Sequence, residues 1–222
     1  MAGHPEAGVG LQPQRQHVIA SICGNYSVKG HPIVFEGYFP LLSGELVPDV
    51  HWCALMPTMT DVLRNHLHYT AWASSRVVDA ASALDPQELV RDFATADHNV
   101  LGTLAHVYAA DRMWLGRIEG NPTARFMVPE QDMHLAVLRN DWPALHARWK
   151  QWGARLTEDS ILKDVSYKST RGDAFVTPTW QIVLHMVNHG THHRGQVSGF
   201  LRAMGHTPPV LDVAAFYREA VR

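Results

Sequence analysis

The chain has 222 residues, 46% hydrophobic and 18% charged, which is enough apolar material for one core and unlike the charge-rich profile of disorder. A formal charge of -2, a pI of about 6.7 and the lack of any Lys/Arg run exclude a field that would draw nucleic acid or anionic lipid. The longest apolar stretches, such as 18–23, fall far short of the roughly 20 residues that cross a bilayer, and the basic start of a secretory signal is missing, so the expected setting is cytoplasmic.

Residues 1–58 hold seven of the sixteen glycines and six of the thirteen prolines, a composition that disfavours helix. Short strands fit 17–23 and 33–39, with Gly24-Asn25 as a turn. An amphipathic pattern starts only after Met56 and Met59. Native translation is therefore expected to begin at one of these, which N-terminal sequencing of the native protein tests. On that reading 1–58 is a poorly structured extension, foreign to the native protein up to about residue 55, and 59–222 is the folded domain.

The first helix is predicted from Thr60 or Asp61 as cap, with Leu63, Leu67, Thr70, Ser74, Val77 and Ala81 at helical spacing, and ends near Asp85-Pro86. A second runs from about Asp97 to Glu119 and stops at Gly120-Asn121-Pro122. It is apolar almost all round and should be heavily buried. Asp141 followed by Pro143 reads as the cap and first-turn proline of a third helix, carrying Leu145, Trp149 and Trp152 to about Leu156. Val165 to Tyr167 and Ala174 to Val176, flanking Arg171-Gly172-Asp173, suggest a short hairpin or extended connection. The last long helix is expected from Thr177 as cap and Pro178 to Gly205 and Pro208. Four long helices with little strand predict an all-α four-helix bundle.

Fifteen histidines are the unusual feature of the composition. Those at 4, 17, 31, 51, 134 and 206 fall in irregular or terminal segments and read as solvated surface. Four residues along a helix turn the direction by only about 40°, so His185, His189 and His193 descend one face with Ile182, Gln196 and Phe200. If that face packs inward, several imidazoles enter the core without local partners, and a metal ion would take their lone pairs. His189 and His193 have the His-x-x-x-His spacing of two ligands to one ion but lack the glutamate of a zinc-protease motif. A third ligand should come from a facing helix. His106, mid-helix among Gly102, Ala109, Ala110 and Met113, is the best placed, with His66, His68, His98 and His146 as rivals. With only Cys23 and Cys53 in the chain, the ligands are nitrogen and oxygen.

Leu184-His185, then Val187 to Gln196 (VNHGTHHRGQ), then Leu201 to Gly205 (LRAMG), together with Leu104-Ala105-His106-Val107, Asp111 and Trp114, resemble the signature of the DinB-like (DinB/YfiT) metal-binding proteins over roughly 60–222. The resemblance implies a four-helix bundle holding one divalent ion, commonly zinc or nickel, through His106, His189 and His193. It leaves His185 as a substitute one turn away, points His192 elsewhere, and gives Asp111, Asn188 and Arg194 either supporting or purely structural roles.

Three neutral nitrogens leave coordination positions free, as in a reactive site. The resemblance implies a transferase or isomerase in which a low-molecular-weight thiol such as bacillithiol, mycothiol or glutathione attacks an electrophilic small-molecule substrate, and it implies pairing into a homodimer. Metal-dependent hydrolysis, and metal binding without catalysis in a stress response, are the alternatives.

Overall fold

The computed structural model of the chain describes residues 27–28, 31–32, 57–126 and 134–220. The first two pieces, β1 (Ser27–Val28) and β2 (His31–Pro32), form a small antiparallel ladder. The strands expected at 17–23 and 33–39 lie outside the described residues, as does Met56, the first of the two proposed translation starts.

α1 (Met59–Ala81) starts two to three residues earlier than expected, because Thr58 rather than Thr60 or Asp61 caps it. The Thr58 hydroxyl accepts from the Asp61 N–H at 3.2 Å and the Asp61 carboxylate accepts from the Thr58 N–H at 3.0 Å, a reciprocal capping box. Thr60 is instead buried, donating its N–H and hydroxyl to Glu158. A short α2 (Pro86–Leu89), capped by Asp85, precedes α3 (Val100–Ile118). Buried side chains occur on every side of α3, as its all-round apolar sequence requires.

α4 (Leu135–Ala154) begins well before the expected cap at Asp141, so Pro143 lies inside the helix. Proline removes one backbone donor and frees the carbonyl four residues earlier. Here both Pro143 and Arg139 are exposed, so water can satisfy that carbonyl and the helix continues. After a single turn, α5 (Glu158–Ile161), comes the hairpin predicted by the sequence. β3 (Asp164–Lys168) pairs antiparallel with β4 (Ala174–Pro178), Val165 opposite Thr177 and Tyr167 opposite Phe175. Thr177 is thus a strand residue and not a helix cap. α6 (Thr179–Ala203) is started by Thr179, whose N–H and hydroxyl both donate to the Lys163 carbonyl at 2.9 and 2.8 Å. It ends as expected at Gly205, at φ 88°, with the His206 N–H bonded back to Leu201 and the Gly205 N–H to Arg202. α7 (Val213–Ala220) closes the described chain.

The architecture is an all-α bundle in which α6 packs on α1 and α3, and α4 packs on α1 and α3. Leu63, Leu67, Leu104, Leu138, Trp142 and Ile182 fill the centre, each 1% exposed or less. Among the described residues no helix is long and apolar enough to cross a membrane.

Candidate metal centre

Two helices bring the histidines together, and each is held by something in the core. α3 is fixed by burial along its length. α6 is anchored by Arg194, which is 1% exposed and donates to the hydroxyls of Thr70, Ser74 and Thr191 at 3.1 to 3.2 Å. At this depth the guanidinium takes the purely structural of its two expected roles and serves the bundle. Gly190 makes room for it, since a Cβ there would stand 2.7 Å from Nη1.

Next to Arg194, His193 faces the opposite way along with His189 one turn before it. His106 meets them from α3. Its Nε2 is 2.9 Å from Nε2 of His189, and the ring centroids of the three pairs lie 4.3 to 4.9 Å apart. One ring nitrogen from each lies within 4.8 Å of the others, so the triad could hold a metal ion. Tetrahedral coordination at zinc–nitrogen distances of about 2.0 to 2.1 Å sets the nitrogens roughly 3.3 Å apart, within small side-chain movement of this arrangement.

Two of the three remaining ring nitrogens have polar groups behind them. His106 Nδ1 is 3.1 Å from Asp97 Oδ1, and His193 Nδ1 is 2.7 Å from Gln196 Oε1 and 3.5 Å from Asp97 Oδ2. His189 Nδ1 is buried and has no hydrogen-bond partner among the described residues. Burial, and then the neighbouring His193, His106, His185 and His192, hold the His189 pKa down to about 3 from the usual 6.5. Burial also lowers that of His193, against the raising effect of Gln196 and Asp97. His189 is therefore a neutral imidazole with a lone pair free for an ion.

The other histidines stay apart. His185 keeps a solvent-facing side and stands edge-on to Trp114 at 5.2 Å, so the arc it shares with His189 turns outward at that end. His192 is exposed and His66 Nδ1 bonds to the Val62 carbonyl. His98 reaches only towards Asp92, and His146 stacks on Trp142 in the core. Asp111 is 2% exposed, accepts from Trp142 Nε1 at 2.9 Å and lies 3.5 Å from His146 Nε2, which makes it part of the α3–α4 packing. Asp97 is the residue that sequence reasoning missed. It was legible only as a helix start, and no spacing rule links a loop carboxylate to a ligand on the following helix.

A pH dependence follows. A histidine whose folded pKa is lowered binds its proton more readily in the unfolded chain, so stability falls as pH drops below the unfolded value. For metal-free protein the loss due to His189 is expected to begin near 6.5 and to continue towards about 3, with His185 and His193 shifted in the same direction. Denaturant titrations of the wild type and His189→Ala at pH 7.5 and 5 check this. The variant should lose less stability than the wild type between the two pH values, and an equal loss would contradict the assignment.

Residues 56–220 match the model of the DinB family. The chain belongs to the DinB family. It is 18% identical over 163 residues to Protein DinB of Bacillus subtilis (strain 168), covering 71% of this chain and 95% of that protein. The crystal structure of a DinB-like protein from Bacillus cereus ATCC 10987 superposes with a TM-score of 0.50 at 17% identity, covering 64% of this chain and 91% of that one. At such identity the superposition speaks for the fold, which is the DinB bundle expected from the helix-six motif.

Proposed function

We propose that this DinB-family protein holds one divalent ion, zinc or nickel, through His106, His189 and His193, and uses it to activate a low-molecular-weight thiol for attack on an electrophile. The convergence of three imidazoles from two helices carries this reading. The donor set fits such an ion: two Nε2 atoms at 2.9 Å, aimed at each other, are satisfied together by a cation between them. When bound, the ion would supply a Lewis acid that lowers the pKa of a thiol into the neutral range.

The chain's own residues define what else the site offers. Three protein donors leave at least one position open. Both cysteines, at 23 and 53, precede the bundle helices, so the bundle contributes no thiol and the nucleophile comes from solution. The Phe126 ring, 4.9 Å from that of His106, gives the site an apolar wall against which an uncharged electrophile can rest.

The test is to purify the protein without an affinity tag, measure bound metal, and then offer an aryl halide or epoxide with bacillithiol, mycothiol or glutathione in turn. Conjugation that requires both ion and thiol, and that disappears in His106→Ala, is expected. Wild type without a stoichiometric divalent ion, or with ion-dependent hydrolysis that ignores thiols, would overturn the proposal.

A further inference from the structure

Between α2 and α3 the chain passes two non-glycine residues in the left-handed region, Ala94 at φ 54° and His98 at φ 62°. Such positions are strained for a residue with a Cβ and persist only where the surroundings enforce them. The enforcement is visible. The Phe93 N–H donates to the His98 carbonyl at 2.7 Å, and the Phe93 ring stacks on Phe200 of α6 at 4.4 Å and 9°. The Asp97 carbonyl is pressed so closely on α3 that a Cβ at Gly102 would lie 2.3 Å from it. Asn99 then turns the chain into α3, its side chain accepting from the Gly102 N–H at 2.8 Å. What this loop delivers to the histidines is the Asp97 carboxylate, 19% exposed, with Oδ1 towards His106 and Oδ2 towards His193.

We infer that Asp97 is the positioning residue of the centre: one carboxylate, borne by neither ligand helix, sets the tautomer of His106 on α3, whose Nδ1 it approaches at 3.1 Å, and flanks His193 on α6, whose Nδ1 is hydrogen-bonded to Gln196. The inference rests on the metal reading above. A neutral imidazole carries its proton on either nitrogen, and only the tautomer protonated at Nδ1 offers Nε2 to an ion. A carboxylate can only accept, so it selects that tautomer. The Gln196 amide, which meets the same Nδ1 of His193 at 2.7 Å, can turn either its oxygen or its nitrogen to the ring and does not impose the choice alone; the carboxylate 3.5 Å away favours its oxygen facing an N–H. For His106 the carboxylate is the one acceptor at Nδ1 among the described residues. Its charge also offsets part of the charge of a divalent ion bound by three neutral ligands.

Zinc affinity of the untagged protein, measured by competition with a chromophoric chelator, is expected to fall roughly 10- to 100-fold in Asp97→Ala and by less in Asp97→Asn. Gly102→Ala retains the carboxylate but displaces the loop behind it, and should also weaken zinc binding. Histidine nitrogen NMR of metal-free protein gives a readout that a merely structural role would not move: His106 is expected as the Nδ1–H tautomer in wild type and as a mixture in Asp97→Ala. Wild type that binds no zinc would sink the metal reading. Wild type that binds it, with Asp97→Ala binding equally well or keeping the His106 tautomer, would sink the inference alone.

Discussion

His189→Ala is expected to abolish tight binding of a divalent ion while leaving the metal-free fold intact. The Nδ1 of His189 is buried with no hydrogen-bond partner among the described residues, and its pKa is held at about 3. Removing it deletes a donor and also a desolvated polar group, so the two consequences separate. The loss in affinity should exceed the roughly 10- to 100-fold that follows from losing an outer partner, because a ligand itself is gone. Metal at a hundred times its Kd stabilises wild type by about 2.7 kcal/mol. For a domain of this size that raises Tm by roughly 5 to 11 °C. The variant should show no such rise, and its metal-free Tm should lie within a few degrees of wild type. A metal-induced shift of wild-type size in the variant would place the ion elsewhere.

Trp142→Ala should produce the largest loss of stability without touching the ion. The indole is 1% exposed, stacks on His146 and meets Tyr108 edge-on, so its removal opens a cavity worth about 3 to 5 kcal/mol. It also deprives the buried Asp111 carboxylate of a donor at 2.9 Å, which puts the expected cost at the upper end of that range. Trp142→Phe, which keeps most of the volume and loses the N–H, should cost roughly 1 to 3 kcal/mol. Denaturant unfolding measures both. Zinc affinity should be the same in Trp142→Phe as in wild type. A tenfold fall would mean that Asp111 orients the ligands after all, contrary to its position among α3–α4 packing residues.

The sequence carried the bundle because its signals were local and redundant. Helical periodicity, Gly205 after α6 and the Arg171-Gly172-Asp173 turn each depend on a few adjacent residues, and each appears where expected. The helix starts were harder. Thr58 caps α1 although Thr60 and Asp61 also have capping side chains, and the choice is decided by Glu158, ninety-eight residues beyond Thr60, which takes the Thr60 hydroxyl. Pro143 reads as a helix start, but its exposure lets α4 run through it. At the site, the four-residue spacing of His189 and His193 placed them on one face, while the choice of His106 among its rivals leaned on family resemblance. Asp97 was beyond both routes. Its place depends on backbone angles at Ala94 and His98 and on the absence of a Cβ at Gly102, none of which leaves a periodic trace.

The junction between α3 and α6 joins residues that are 83 positions apart in the chain. An ion held there would act as a reversible cross-link between distant parts of the polypeptide. In the chain-entropy description, a covalent tie closing a loop of that length would restrict the unfolded ensemble by about 4 to 5 kcal/mol, whereas an ion that leaves the unfolded chain stabilises only as far as its free concentration exceeds its Kd. The bundle has no cysteine with which to make such a tie covalently. Its loop-spanning fastening would instead be one that proton concentration and chelators can undo, so the resistance of the protein to unfolding would follow the supply of metal around it.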